Sequence, residues 1–316
     1  MCAGVKIKSN RNLFLQHYVS AALVMLLLVV QVLLVQAQEI TIYTIPSPKG
    51  MDWNSPRELV LSYVRNTFAR SPYGKEKYPI GHMMVELKDS TRHEITGTTS
   101  VTHSGMTRKV IRKGYGLGIL FEKINGKLED KNEDLQEVYL RSQQGDVAFV
   151  TYKVNQATFN RMWQYLQEYK QRGYDKIYNG SNKPREGQGA GCSAFAQSFL
   201  EVGGLSCILP ANEWAVCVFI PERLIGGSKA KTRHVQFFKL LLFNKWAKPG
   251  KPNAEELTLY EPTFFYNWIL KTHANTKENP LLHNATRGKA KGLIVDCTHL
   301  APPQEPIWLT TTSGSN

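Results

Sequence analysis

Apolar and polar residues alternate first over residues 40–45, where β-branched side chains are separated by polar ones, and this predicts a strand. Ser55-Pro56-Arg57-Glu58 then reads as a capping box with proline at the first helical position. Leu59, Tyr63, Val64 and Phe68 recur behind it as the inward stripe of a helix. Across residues 78–87 the period returns to two: Met83, Val85 and Leu87 fall on one face, His82, Met84 and Glu86 on the other. A turn at 88–91 sends residues 93–102 back as the partner strand of a hairpin. The pattern leaves His82 opposite Gly97, Thr98 or Thr99, because a slip of one residue changes which side chains share its face. Further strands are predicted over 116–121, 147–154 and 214–220, with the charge-dense segment 127–137 as an exposed excursion. Asn155 caps a helix whose Phe159, Met162, Trp163, Leu166 and Tyr169 recur at helical spacing up to Gly173.

The polar, glycine-containing stretch 174–191 leads into Gly191-Cys192-Ser193, followed by apolar residues at 195, 196, 199, 200 and 202 and a stop at Gly203-Gly204. Cys192 therefore falls in the first turn of a helix. Unpaired backbone N–H groups and the positive end of the helix dipole favour thiolate over thiol there, which is how proteins make a nucleophilic cysteine. Beyond Pro221 the pattern weakens to an aromatic run at 235–243, a helix at 262–271 and a mostly polar stretch at 275–291.

The amino terminus changes the picture of where the chain works. Lys6, Lys8 and Arg11 precede an apolar run over 21–35, and Val35-Gln36-Ala37 supplies small residues at a cleavage site, the order of a secretory signal. Cleavage is expected after Ala37, giving an exported protein, periplasmic or secreted. The alternative is an uncleaved membrane anchor, since the run is only slightly shorter than the ~20 residues that span a bilayer. The formal charge of +13 falls to +10 without that segment. A basic exported protein is drawn to anionic envelope polymers or lipid headgroups, and nucleic acid is not expected as a partner. Cys192, Cys207, Cys217 and Cys297 all meet an oxidising compartment. If Cys192 stays reduced, one disulfide forms among the other three, and sequence leaves its partners open. No Cys/His cluster has zinc spacing and no glycine-rich phosphate loop follows a strand, so no metal and no cofactor are expected.

A cysteine nucleophile needs a base, and the base needs a group to hold its ring. His82 is the histidine whose strand offers a site, and it precedes Cys192, the reverse of the papain order. Gly-His opening an apolar strand, further strands and a helix, then Gly-Cys-Ser opening a helix, resembles the circularly permuted NlpC-type papain-like cysteine hydrolases, the group that includes the relatives of lecithin:retinol acyltransferase. The resemblance covers residues 78–204. It implies an α+β fold in which an antiparallel sheet packs against the cysteine-bearing helix, a permuted papain-like domain over 38–225, and an extension over 226–309 ending in a disordered tail at 310–316. It also implies a Cys192 thiolate, His82 as base, and Glu94 as the group that orients the ring, ahead of Thr98. Glu86 lies four residues from His82, ~13 Å along a strand, and is assigned to substrate or a neighbouring strand. For the oxyanion, the Cys192 N–H is the first donor, and Gln188 or Tyr178 the second. The expected activity is an exported thiol hydrolase of the cysteine peptidase or amidase kind. It would cleave an amide or ester, with cell-wall peptide as the first substrate class and a lipid or acylated substrate as the second. An acyltransferase would use the same residues. A non-catalytic envelope-polymer binding module on the same fold is the alternative from another class.

Overall fold

The computed structural model describes residues 38–310 apart from 73, 76, 102, 181–182, 207–210, 231–233 and 276–280. The signal or anchor expected over 1–37, all of the tail expected over 310–316 except Thr310, and Cys207 lie outside the described residues. The described residues from Gln38 onward form one compact unit. No helix among the described residues is long and apolar enough to cross a membrane.

The fold is mixed α+β. Strands β1 (Gln38–Ile45), β2 (Arg70–Ser71), β3 (Gly74–Lys75), β4 (His82–Lys88), β5 (His93–Thr96), β6 (Thr98–Ser100), β7 (Ile124–Leu128), β8 (Ala148–Val154), β9 (Ile177–Tyr178), β10 (Ala215–Pro221), β11 (Ala254–Tyr260), β12 (Leu282–Arg287) and β13 (Ala290–Cys297) are joined by seven described helices. These are α1 (Pro56–Thr67), α2 (His103–Arg112), α3 (Lys131–Gln144), α4 (Gln156–Gln171), α5 (Cys192–Val202), α6 (Phe237–Leu240) and α7 (Pro262–Ala274). The main sheet has six strands in the order β12-β13-β8-β1-β4-β5. It is mixed, not antiparallel as expected, because β13 runs parallel to β8. The chain after Pro221 thus enters the central sheet through β12 and β13 instead of lying on it as an extension.

Period-two patterning decides what each face covers. Met83, Val85 and Leu87 of β4 join Ile40, Ile42, Val150 and Tyr152 beneath α4, α5 and α7, packed on Phe159, Phe195, Phe199 and Phe265. Met84 and Ile95 point the other way, onto Tyr43, Phe149 and Val138 of α3. A third cluster gathers Leu59 and Val60 of α1, Leu117, Val218 of β10 and Leu240.

Three local expectations are corrected. Residues 117–121 form a 3-10 turn, not a strand, because Gly116 turns the chain at φ 53°. Segment 127–137 is no exposed excursion: it ends β7 and begins α3, with Asp130 capping the N–H groups of Asn132 and Glu133. Phe68 caps α1 at 81% exposure instead of facing inward.

Candidate active site

Helix α5 is buried nearly all round, and Gly191 before it contributes no side-chain cap, so the first-turn N–H groups are left to the site. Cys192 opens this helix as a buried free thiol. The Gly191 Cα lies so close to the backbone that an added Cβ would come within 3.2 Å of the Asn179 carbonyl.

His82 opens β4, opposite Ile45 of β1, and its ring is 3% exposed. The turn that delivers it needs glycine: Gly81 has φ 77°, and a Cβ there would fall 2.9 Å from Pro262. The Cys192 thiol sits beside the imidazole, close enough to act on its pKa. The ring Nε2 faces Glu129 Oε2 at 2.5 Å. Both side chains of the His82–Glu129 pair are 4% exposed. Burial pulls the imidazole pKa down, but the Glu129 carboxylate and the neighbouring Cys192 outweigh it and hold the ring up to about 10. For Glu129, burial pushes upward and His82 pulls harder, so the carboxyl is held below its usual range.

Glu129 is fixed from several sides. Its N–H donates to the Gly97 carbonyl (2.9 Å), and its own carbonyl accepts from Thr96 Oγ1 (3.1 Å). Tyr78 stacks flat on the His82 ring, with centroids 4.2 Å apart and planes 5° from parallel, and its hydroxyl reaches Glu129 Oε1 at 3.4 Å. Lys77 adds a positive charge 3.9 Å from the same oxygen. Gly97 makes room for the pair, since a Cβ there would sit 2.8 Å from His82 Nε2 and 2.7 Å from Glu129 Oε2. Asp134, one turn into α3, is wholly buried with neither carboxylate oxygen hydrogen-bonded. Its burial and the Glu129 charge push its pKa up to about 7.

The expected third residue is corrected. Glu94 pairs across the sheet with Leu87, five residues along β4 from His82, about 17 Å at strand rise. It is bound to Lys170 at 2.8 Å instead. The reason lies at Gly97, where the returning strand leaves β4 and pairs with β7, as Thr98↔Leu128. Thr98 is buried there with no hydrogen bond from its hydroxyl, so it does not hold the ring. Glu86 is spoken for by Tyr43 (2.7 Å), His93 (2.8 Å) and Arg287 (3.2 Å).

Of the two oxyanion candidates, Tyr178 is at the site and Gln188 is not. The Tyr178 side chain lies beside Cys192, and burial together with the sulfur pushes its hydroxyl pKa up. The Gln188 amide turns to Glu186 at 2.8 Å. Cys217 is an exposed thiol and Cys297 is buried, its sulfur 3.9 Å from the Val295 carbonyl. No group of three or more potential metal ligands occurs among the described residues.

Glu129, Tyr78 and Asp134 were missed by sequence reasoning, whereas Gly97 was among the residues it set opposite His82. The available signal was Asp130 with Leu135 and Val138 at helical spacing, which marks a capped helix and places Glu129 at a strand-to-helix junction.

Cys192 opens onto a cavity of about 380 Å³. Its walls are overwhelmingly apolar, with Leu59, Val60, Leu117, Ile119, Leu120 and Leu240 among them. The polar residues of its lining include Thr67, Tyr178, Asn179, Ser193 and Glu261. Comparison with protein-family models, with curated proteins and with solved structures finds no match.

Proposed function

We propose that the protein is a thiol-dependent acyl hydrolase or acyltransferase on a permuted papain-like fold, acting on an ester or amide of an apolar acyl group. The observation that carries this reading is a buried cysteine at a helix start, beside a histidine whose Nε2 holds a buried carboxylate, at the wall of an apolar cavity. The lining favours an acyl chain over a cell-wall peptide, whose polar backbone would lose its hydration among leucines and isoleucines without new hydrogen bonds.

In this reading Cys192 Sγ attacks the carbonyl carbon while His82 holds the thiol proton. The oxyanion takes the Cys192 N–H as its first donor, and the Tyr178 hydroxyl donates as the second. The bond from the carbonyl carbon to the leaving oxygen or nitrogen breaks, His82 delivers its proton to the leaving group, and a Cys192 thioester results. Water, or another alcohol or amine, then gives its proton to His82 and attacks the thioester, releasing acid or transferred product and restoring the thiol. Glu129 keeps the ring oriented and stabilises its charged form throughout.

The test is a pH series of iodoacetamide labelling mapped by mass spectrometry, with His82→Ala beside it, and then mass analysis after mixing with p-nitrophenyl esters of increasing chain length. Labelling of Cys192 well below pH 8 that weakens in the variant, and an acyl adduct on Cys192 that forms faster with longer chains, are expected. An unreactive Cys192 would sink the enzyme reading and leave a binding module as the better account; reactivity without chain-length preference would remove the acyl substrate alone.

A further inference from the structure

The mouth of the cavity is apolar on the outside as well as within. Phe68 after α1, Ile111 on α2 and Ile80 before the Gly81-His82 turn line the cavity wall, yet are 81%, 54% and 42% exposed. Three large side chains left in water around one opening form an apolar rim, the kind of surface soluble proteins reserve for a partner. The charges beside it have one sign. Arg108 and Arg112 share the exposed face of α2 with Ile111, at offsets of three and one residues, and Lys113 follows exposed. Arg70 is exposed two residues after Phe68. No acidic residue occurs from 95 to 121, and segment 65–80 carries Arg65, Arg70, Lys75 and Lys77 against Glu76 alone. Glu122, the next acid after α2, is already engaged by Lys109 at 3.2 Å.

We infer that this rim docks the protein on an anionic lipid bilayer. Phe68, Ile80 and Ile111 enter below the headgroups, and Arg70, Arg108, Arg112 and Lys113 lie at the lipid phosphates, so the cavity opens directly onto the acyl region. An apolar tip ringed by cations is the combination an anionic interface rewards. An acidic protein would leave the three apolar side chains unpaired with anything, and a second copy would set the cations against each other. The inference draws on the acyl-chain reading of the cavity for its purpose, but the docking surface stands on its own residues.

The test is hydrogen exchange on the full chain with vesicles of phosphatidylcholine alone or mixed with phosphatidylglycerol, reading peptides over 65–72 and 104–113. Because the readout is local, attachment through residues 1–37 does not mimic it. Slowed exchange in both segments with the anionic vesicles only, reversed by high salt, is expected. Arg108→Glu/Arg112→Glu should lose that protection, each removed cation lowering partitioning by about fivefold, and Phe68→Asp should lose it too. Cys192→Ala should dock as the parent does, and iodoacetamide labelling in the same samples reports the thiol separately, so the two readings fail independently. Equal protection by soluble polyglutamate, protection that grows with protein concentration in the absence of lipid, or none in these segments would each overturn the inference.

Discussion

Two histidine–glutamate pairs stand along the β4–β5 region, and they differ in everything except their chemistry. His82 and Glu129 meet at 2.5 Å with both side chains 4% exposed, whereas His93 and Glu86 meet at 2.8 Å with the histidine 31% exposed. The second pair is shared with Tyr43 and Arg287, so its carboxylate is neutralised by a fixed cation and its imidazole is half in water. Among the described residues no cysteine bonds to it. The first pair has the thiol, a stacked tyrosine and an apolar cavity. A His–Glu contact is therefore not what defines the candidate site; burial beside a nucleophile is, since exclusion of water strengthens each charge interaction and leaves the proton no other base.

The sharpest way to break the comparison is at the thiol: Cys192→Ala should abolish acyl-adduct formation entirely, measured by intact mass. Next, Glu129→Gln should lower the Cys192 labelling rate at pH 6.5 by about tenfold to a hundredfold, as the raised His82 value falls back toward the ordinary one. It should also cost about 3 kcal/mol in denaturant unfolding, because a buried charge loses its partner. The pH dependence has a definite sign. A histidine raised to about 10 stabilises the fold in full below its ordinary value near 6.5, and that contribution is lost as the pH rises through 10. Glu129→Gln should flatten that alkaline loss. Gly97→Ala leaves every charge in place but sets a methyl on the His82–Glu129 bond, and is expected to destabilise by about 1–3 kcal/mol while slowing labelling.

Glu86→Gln sharpens the comparison from the other side. It should cost about 1–3 kcal/mol of stability through its three partners while leaving Cys192 labelling unchanged. The smallest effect belongs to Asp134. Its carboxyl keeps its proton in the fold to about pH 7, whereas the unfolded chain ionises near 3.8, so stability falls as the pH rises between those values. Asp134→Asn should match the parent in melting at pH 4 and exceed it by about 1 kcal/mol or more at pH 8.

Much of this was legible along the chain, for local reasons. The capping residues Ser55, Asn155 and the glycines around Cys192 set helix ends through bonds made within a few residues, and the alternation in β4 placed Met83 and Met84 on opposite faces. Cys192 at a helix start and His82 at a strand start could be read because each position follows from its own neighbours in sequence. What failed was partnering. Glu94 and Glu129 are both carboxylates near strands, and nothing in their immediate sequence says that the hairpin abandons β4 at Gly97 and turns to β7.

The sequence by itself determined the amphipathic elements, the helix-start cysteine and the basic balance, since these depend on spacing and composition. Only the tertiary structure decided that Glu129 and not Glu94 meets His82, that β12 and β13 complete the main sheet, and that apolar residues from α1, the 117–121 turn and α6 enclose a cavity at the thiol. Each of these is a contact between segments far apart in the chain, and its energy comes from burial and close approach that no local window of residues contains.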